Sequence, residues 1–272
     1  MKKLSIFLST LFVGGILVFT SCSKTGSTGP AGSTGATGAS GPPGPVLIGN
    51  ISGNVIMSNE YAAPVTNAYT TGYILLKNAT TNATVDSVIA SSTGQYNINN
   101  VATGTYNMLC IYPGYGLNMH QNVEFTGGTL LVDNKITALP NFNVTTAVDS
   151  LGTSKRNVGN LYIGGTIPAD NNGTRTILIF AGTSSSTSSN PSTFSFVTAK
   201  TIPQDSTSYN VTIALNTIYT NGFAYGNPVY FAVYGASDNY TYGAFTNFQY
   251  AQTVYTAISA SAVPVTPVIT LP

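Results

Sequence analysis

Charge is what this chain has least of. Of 272 residues, 6% are charged, against roughly 25% in an average protein, so Asn, Ser and Thr must wet the surface instead. The formal net charge is +1 and no basic run follows the first residues, which excludes the electrostatic footprint of a nucleic-acid binder. Histidine occurs once, as His120 in LNMHQN. A Ser-His-Asp or Cys-His arrangement would have to use it, and no strained Ser elbow or activated Cys accompanies it. Zinc needs three or four Cys, His or carboxylate ligands, a set that one His and one spare Cys do not supply. The only glutamates, Glu60 and Glu124, are not marked as the facing carboxylate pair that glycoside hydrolysis requires. Asp170-Asn171-Asn172 lacks the second acidic cluster that would complete a calcium shell, and reads as a turn. The sequence predicts no enzyme, no metal and no cofactor.

Tryptophan is absent and the helix formers Glu, Lys and Arg are scarce, whereas 17 Tyr accompany abundant Thr, Val and Ile. That composition points to strands. The 43% hydrophobic content excludes disorder of the whole chain. The expected class is all-β, with two tandem β-sandwiches following a signal peptide and a stalk.

Residues 1–21 have the form of a secretory signal: Lys2 and Lys3, an apolar run from Leu4 to Phe19, then small polar residues. The alternative, an uncleaved anchor helix, faces a run about four residues short of a ~20-residue span. Phe19-Thr20-Ser21-Cys22 resembles the bacterial lipoprotein cleavage motif. The resemblance implies a lipidated Cys22, a membrane as partner through that anchor, and an exported protein of the cell envelope, at the outer membrane. Each buried acyl methylene would contribute about 0.8 kcal/mol to anchoring. Modification of Cys22 leaves Cys110 without a disulfide partner. In TYNMLCIY it alternates with Tyr106 and Met108, and reads as a buried, inert small hydrophobe.

Residues 22–46 carry the stalk. Glycine stands at 26, 29, 32, 35, 38, 41 and 44 without a miss, with Pro30, Pro42, Pro43 and Pro45 between. The pattern resembles collagen, in which only Gly fits the axis of three wound chains. Two readings stay open. One is an extended monomeric spacer, the expected state, and the other is a homotrimeric collagen-like stalk.

From about residue 47 short alternating segments begin, separated by turn residues every eight to twelve positions. Ile51-Ser52-Gly53-Asn54-Val55, then Thr93-Gly94-Gln95-Tyr96-Asn97-Ile98-Asn99-Asn100-Val101, then Gly104-Thr105-Tyr106 and Pro113-Gly114-Tyr115 follow one pattern. Residues 47–146 thereby resemble the carboxypeptidase regulatory-like domain, a transthyretin-like sandwich. The resemblance implies a structural or accessory module without catalytic residues, in which Tyr96 and Ile98 face the core and Gly94 and Gly104 permit reversals. Cna-B-type stalk repeats share the sandwich, but Lys77, Asn54 and Glu124 do not form a recognisable version of their cross-linking trio.

Residues 147–158 read as a polar linker containing Lys155 and Arg156, and 159–272 as an immunoglobulin-like sandwich of seven or eight strands. Tyrosine is concentrated in this second unit, and Asn239, Tyr240 and Tyr242 read as an exposed hairpin tip able to contact a glycan. Against that stands the plainer reading, favoured by composition, that tyrosines fill a sandwich lacking Trp. Asp86-Ser87-Val88, Asp149-Ser150-Leu151 and Asp205-Ser206-Thr207 resemble an O-glycosylation signal of some Gram-negative envelopes, which makes Ser87, Ser150 and Ser206 candidate acceptors. The expected function is non-catalytic display of the sandwiches for adhesion or structural support. The alternative is a carbohydrate-binding surface receptor, and the candidate partners are a glycan or a cell-surface protein.

Overall fold

The computed structural model describes residues 26, 29–38, 44, 46–149 and 159–272. The signal segment, Cys22, Ser150 and the Lys155-Arg156 pair lie outside them. Within the stalk, the described residues are exposed and belong to no helix or strand.

The first sandwich contains β1 (Ile48–Ser58), β2 (Pro64–Val65), β3 (Tyr73–Asn78), β4 (Thr84–Val88), β5 (Gln95–Ala102), β6 (Gly104–Ile111), β7 (Asn118–Phe125), β8 (Gly128–Leu131) and β9 (Asn134–Thr137). In one sheet β1 is central: β5 and β2 pair with it antiparallel, while β8 and β9 pair with it in parallel. The other sheet runs β4-β3-β6-β7, all antiparallel. Period-two alternation decides which side chains meet between the sheets. Tyr96 and Ile98 of β5, and Tyr106, Met108 and Cys110 of β6, are buried with Ile51, Val55, Ile74 and Leu76 in one core. Gln95, Asn97 and Asn99 of β5 face solvent. The Thr93-Gly94 reversal needs glycine for its conformation, with φ +83° at Gly94. Gly53 is required by proximity instead: a Cβ there would stand 1.9 Å from the Val132 carbonyl oxygen.

The second sandwich contains β10 (Thr146–Asp149), β11 (Asn160–Thr166), β12 (Arg175–Gly182), β13 (Phe196–Ile202), β14 (Ser208–Ala214), α1 (Leu215–Thr220), β15 (Pro228–Ala236), β16 (Phe245–Asn247), β17 (Gln252–Val254), β18 (Val263–Pro264) and β19 (Ile269–Thr270). Its sheets run β10-β11-β14 and β13-β12-β15-β18, with β19 also on β15, and β16 and β17 form a separate hairpin. Every residue of β12, RTILIFAG, is buried, as expected of a continuous apolar run covered on both faces. Its Ile177 and Ile179 enter the inter-sheet core, whereas Leu178 and Phe180 join Phe194 and Tyr234 in a second cluster on the other side. Phe180 meets Phe194, Tyr234 and Tyr255 edge-on, at centroid distances of 4.9, 5.5 and 6.0 Å. That geometry suits aromatic quadrupoles.

Two boundaries differ from the sequence reading. Ala147 to Asp149, expected to begin the linker, belong with Thr146 to the edge strand β10 paired with β11. The apolar side chains Phe142, Val144 and Ala147 explain this, because all three are buried in the second core. Leu215, read as the last residue of a strand SYNVTIAL, instead opens α1, LNTIYT, which turns Leu215 and Ile218 onto the end of that core.

Residues 45–272 form one compact unit, and polar groups join the two sandwiches. The Asp238 amide donates to the Glu60 carbonyl over 2.9 Å. Thr256 Oγ1 donates to the Leu117 carbonyl over 2.7 Å, and Ser237 Oγ donates to the Ala138 carbonyl. The Tyr61 hydroxyl donates to the Asp170 carboxylate and accepts from Asn141 Nδ2 at 3.2 Å. Thr174 and Thr176 donate to the Asp238 carboxylate, which holds the second-sandwich side of this seam in place.

Candidate functional site

Cys110, His120 and Asp170 are each occupied or muted. Cys110 is buried, and desolvation pushes its thiol up to about 12, so it stays protonated and unreactive at neutral pH. His120 lies on the edge strand β7, and burial lowers its pKa against the opposing influence of the Asp133 backbone and the Asn134 side chain. The Asp170 carboxylate is held below its usual range, first by the Tyr61 hydroxyl and then by the Asn172 amide. Asn172 closes an Asx turn on it, with backbone and side-chain nitrogens 2.9 and 2.7 Å from Oδ1. This loop is a turn and a domain contact, as the sequence suggested for the turn alone. Among the described residues, no group of three or more His, Cys, Asp or Glu is placed to hold a metal ion.

Arg175 was not anticipated. It opens β12 yet is 1% exposed, its guanidinium donating to the Pro168 and Ser206 carbonyls and lying 5.6 Å from the centre of the Phe142 ring. Two carbonyls and a ring face compensate part of this buried cation's lost hydration, although its Nε has no partner. Ser206 is therefore half-buried in a turn that this arginine fastens. Ser87 lies exposed on the edge strand β4.

Asn239, Tyr240 and Tyr242 do not form an open tip. All three are half-buried in a run of consecutive turns between Ser237 and Ala244. Asn239 Nδ2 reaches Ser58 Oγ at 3.4 Å, and the Lys135 ammonium sits 5.8 Å from the centre of the Tyr242 ring. Tyr240 packs on Tyr255 at 5.8 Å beside the Phe180 cluster. The two rings and the amide thus serve the join between sandwiches and its neighbouring cluster. This side of the molecule offers the filler role that tyrosine composition favoured, and alternation within one strand gave no sign of a neighbouring domain.

Two open features of the described residues bear on binding. On the outer face of the first sandwich, Ser52 and Asn54 of β1 stand opposite Asn97 and Gln95 of β5. With Ile89 and Leu131 as apolar walls they line a groove of about 560 Å³. Asn54 is oriented by Asp133, whose Oδ1 accepts from its backbone and side-chain nitrogens at 2.8 and 3.1 Å. The second feature is the end of the β16–β17 hairpin. GAFTNFQY reads as one continuous strand, but the strand stops at Asn247. The Asn247 carboxamide oxygen accepts from the Gln249 and Tyr250 amides at 3.0 and 3.3 Å, and Ala251 takes φ +52°. Phe248 and Tyr250, 68% and 42% exposed, are carried on that fixed turn. The clue available in the sequence was Asn247 itself, a turn-forming residue inside an otherwise alternating run.

No family model matches the chain, and no curated protein matches it. Among solved structures, it is similar to a candidate carbohydrate binding protein from Bacteroides uniformis, at 15% identity and a TM-score of 0.29, over 83% of this chain and 100% of that one. It is also similar to a DUF3823 family protein from Parabacteroides merdae, at 11% identity and a TM-score of 0.27, over 84% and 100% of the two chains. The major pilin subunit of Bacillus cereus aligns at 11% identity and a TM-score of 0.27, over 82% and 69%. Similarity at this level transfers neither activity nor ligand.

Proposed function

We propose that this chain is a non-catalytic lipoprotein of the cell envelope, exported to the outer membrane, that displays its two sandwiches for adhesion or structural support. Cys22 carries the acyl anchor, and the G-X-Y segment spaces the body from the membrane. Residues 47–146 serve as an accessory module of the carboxypeptidase regulatory-like kind. Inward-facing Tyr96, Ile98 and Tyr106 support that assignment, as does the hydrogen bond from the Tyr106 hydroxyl to the Ala102 carbonyl at 2.7 Å.

The observation that carries the proposal is the seam. Backbone and side-chain bonds from Glu60, Tyr61, Leu117 and Ala138 to the second sandwich make residues 45–272 a single body. A body that transmits load or presents a surface benefits from such coupling, whereas an enzyme would need convergent reactive groups. The stalk is read as a monomeric spacer. At Gly26, Gly29, Gly32, Gly35, Gly38 and Gly44 an added Cβ would meet nothing within 4 Å, so nothing inside one chain demands glycine there. Only a triple helix would demand it, and a stretch this short and imino-poor gains little against the ordering entropy of three chains.

Cys22→Ala tests the anchor. The wild-type chain is expected in the membrane fraction with acyl mass on its N-terminal peptide, and the variant in the soluble fraction with both sandwiches folded. Equal partition of the two, without acyl mass on wild type, would refute the reading.

The carbohydrate-binding alternative is favoured by one observation, the two exposed aromatic rings on the β16–β17 hairpin.

A further inference from the structure

From Asn239 to Pro272 the chain contains no Asp, Glu, Lys, Arg or His. The hairpin end therefore carries no charge of its own. The end itself consists of Phe248, Gln249, Tyr250 and Ala251, all exposed, on a backbone pinned by the Asn247 carboxamide. Pinning matters because an aromatic pair that is already positioned loses little freedom when a ligand arrives. Phenylalanine and tyrosine bring large faces at the cost of only two side-chain torsions each.

Three neutral occupants compete for such a tip: an acyl layer, an apolar protein surface and a sugar chain. Gln249, itself exposed, separates the two ring-bearing residues in the chain, with Asn247 and Gln252 at the turn's base. Driving Gln249 into hydrocarbon would strip its amide of hydrogen bonds, an unfavourable step with no compensating partner at the tip. A sugar uses both parts. Its C–H-rich face lies on the electron-rich faces of the rings, and its hydroxyls bond to the amide.

We infer that the Phe248-Gln249-Tyr250 hairpin end is a contact site for neutral glycans. The inference rests on the carbohydrate-binding reading and moves its site away from Asn239, Tyr240 and Tyr242, which the seam and the Phe180 cluster already occupy.

The test uses the full chain carrying Cys22→Ala, which lacks the acyl anchor and needs no detergent, with dextran, mannan, xylan and galactan as probes in affinity electrophoresis. Phosphatidylcholine vesicles serve as the acyl-layer control. This anchor-free chain is expected to be retarded by at least one of the four polysaccharides and not to bind the vesicles, and the substitutions below are made in it. Phe248→Ala and Tyr250→Ala should each weaken that binding at least tenfold. Tyr225→Ala, at a separate ring that is 78% exposed, should leave it within twofold. Unchanged melting temperatures would show that the variants are folded. Binding that survives both tip substitutions would overturn this site while leaving a carbohydrate receptor in place. No retardation by any of the four would overturn the site and the receptor reading together. Vesicle binding lost on Phe248→Ala would replace the glycan with a membrane and also overturn the inference.

Discussion

Replacing Tyr61 with phenylalanine removes a single oxygen from the seam while leaving the ring in place beside Gly173. That oxygen donates to the Asp170 carboxylate and accepts from Asn141. A hydrogen bond to a charged group contributes about 1.5–3 kcal/mol and a neutral one about 0.5–1.5. Tyr61 is only half-buried and the Asp170 carboxylate is open to solvent, so screening places the combined loss near 1–1.5 kcal/mol. For a body of this size, about 1 kcal/mol corresponds to a 2–4 °C change in Tm. Differential scanning calorimetry at pH 7 should therefore show Tyr61→Phe melting about 3 °C below wild type. The deficit should depend on pH. Hydrogen bonds from Tyr61 and Asn172 depress the folded Asp170 pKa, so its stabilisation is fully present above the unfolded value near 3.9 and is lost as pH falls through the depressed folded value. Below about pH 3.9 the wild-type and variant curves should begin to draw together, closing further as pH falls through the depressed folded value. An unchanged Tm at pH 7, or a deficit independent of pH, would refute this account of the seam.

Tyr106→Ala should lower stability by about 3–5 kcal/mol, since it empties a fully enclosed site, whereas Tyr240→Ala, half-buried against Tyr255, should cost about 1–2 kcal/mol. Urea unfolding monitored by circular dichroism measures both, and equal losses would contradict the burial described. Gly53→Ala places a methyl group against the Val132 carbonyl and should destabilise by at least 1–3 kcal/mol, read from the same curves. The Cys110 thiol, pushed up to about 12, should resist a thiol-specific reagent at pH 8 and react on unfolding; rapid reaction of the folded protein would show that it is not enclosed. Sedimentation of residues 22–272 should give a monomer with or without Gly35→Ala, and a wild-type trimer that the substitution dissolves would establish a collagen-like stalk.

Alternation made the interior of the first sandwich readable. Tyr106, Met108 and Cys110 fall on one face of β6 because strand geometry leaves no other option. What alternation does not encode is the meeting of the sandwiches. The seam is made of turn residues, backbone carbonyls and hydroxyls such as Glu60, Ala138 and Thr256, whose composition is that of any exposed loop. Hence Asn239, Tyr240 and Tyr242 looked open. β10 was missed because its strand is short and polar and its apolar support, Phe142 and Val144, precedes it. α1 has the β-branched and aromatic content of a strand, and becomes helical where Leu215 and Ile218 close the core. The hairpin end was hidden in GAFTNFQY because a side-chain hydrogen bond from one Asn, rather than a Gly or Pro, breaks the strand.

Surface exposure of the body tests the display proposal most directly. Protease is added to intact cells expressing the full chain, and loss of the 46–272 region is followed with an antibody against it. The account predicts that the region is degraded on intact cells carrying the wild-type chain, and that Cys22→Ala removes it from the cell surface. A region that stays protected until the cells are lysed would contradict display outside the membrane.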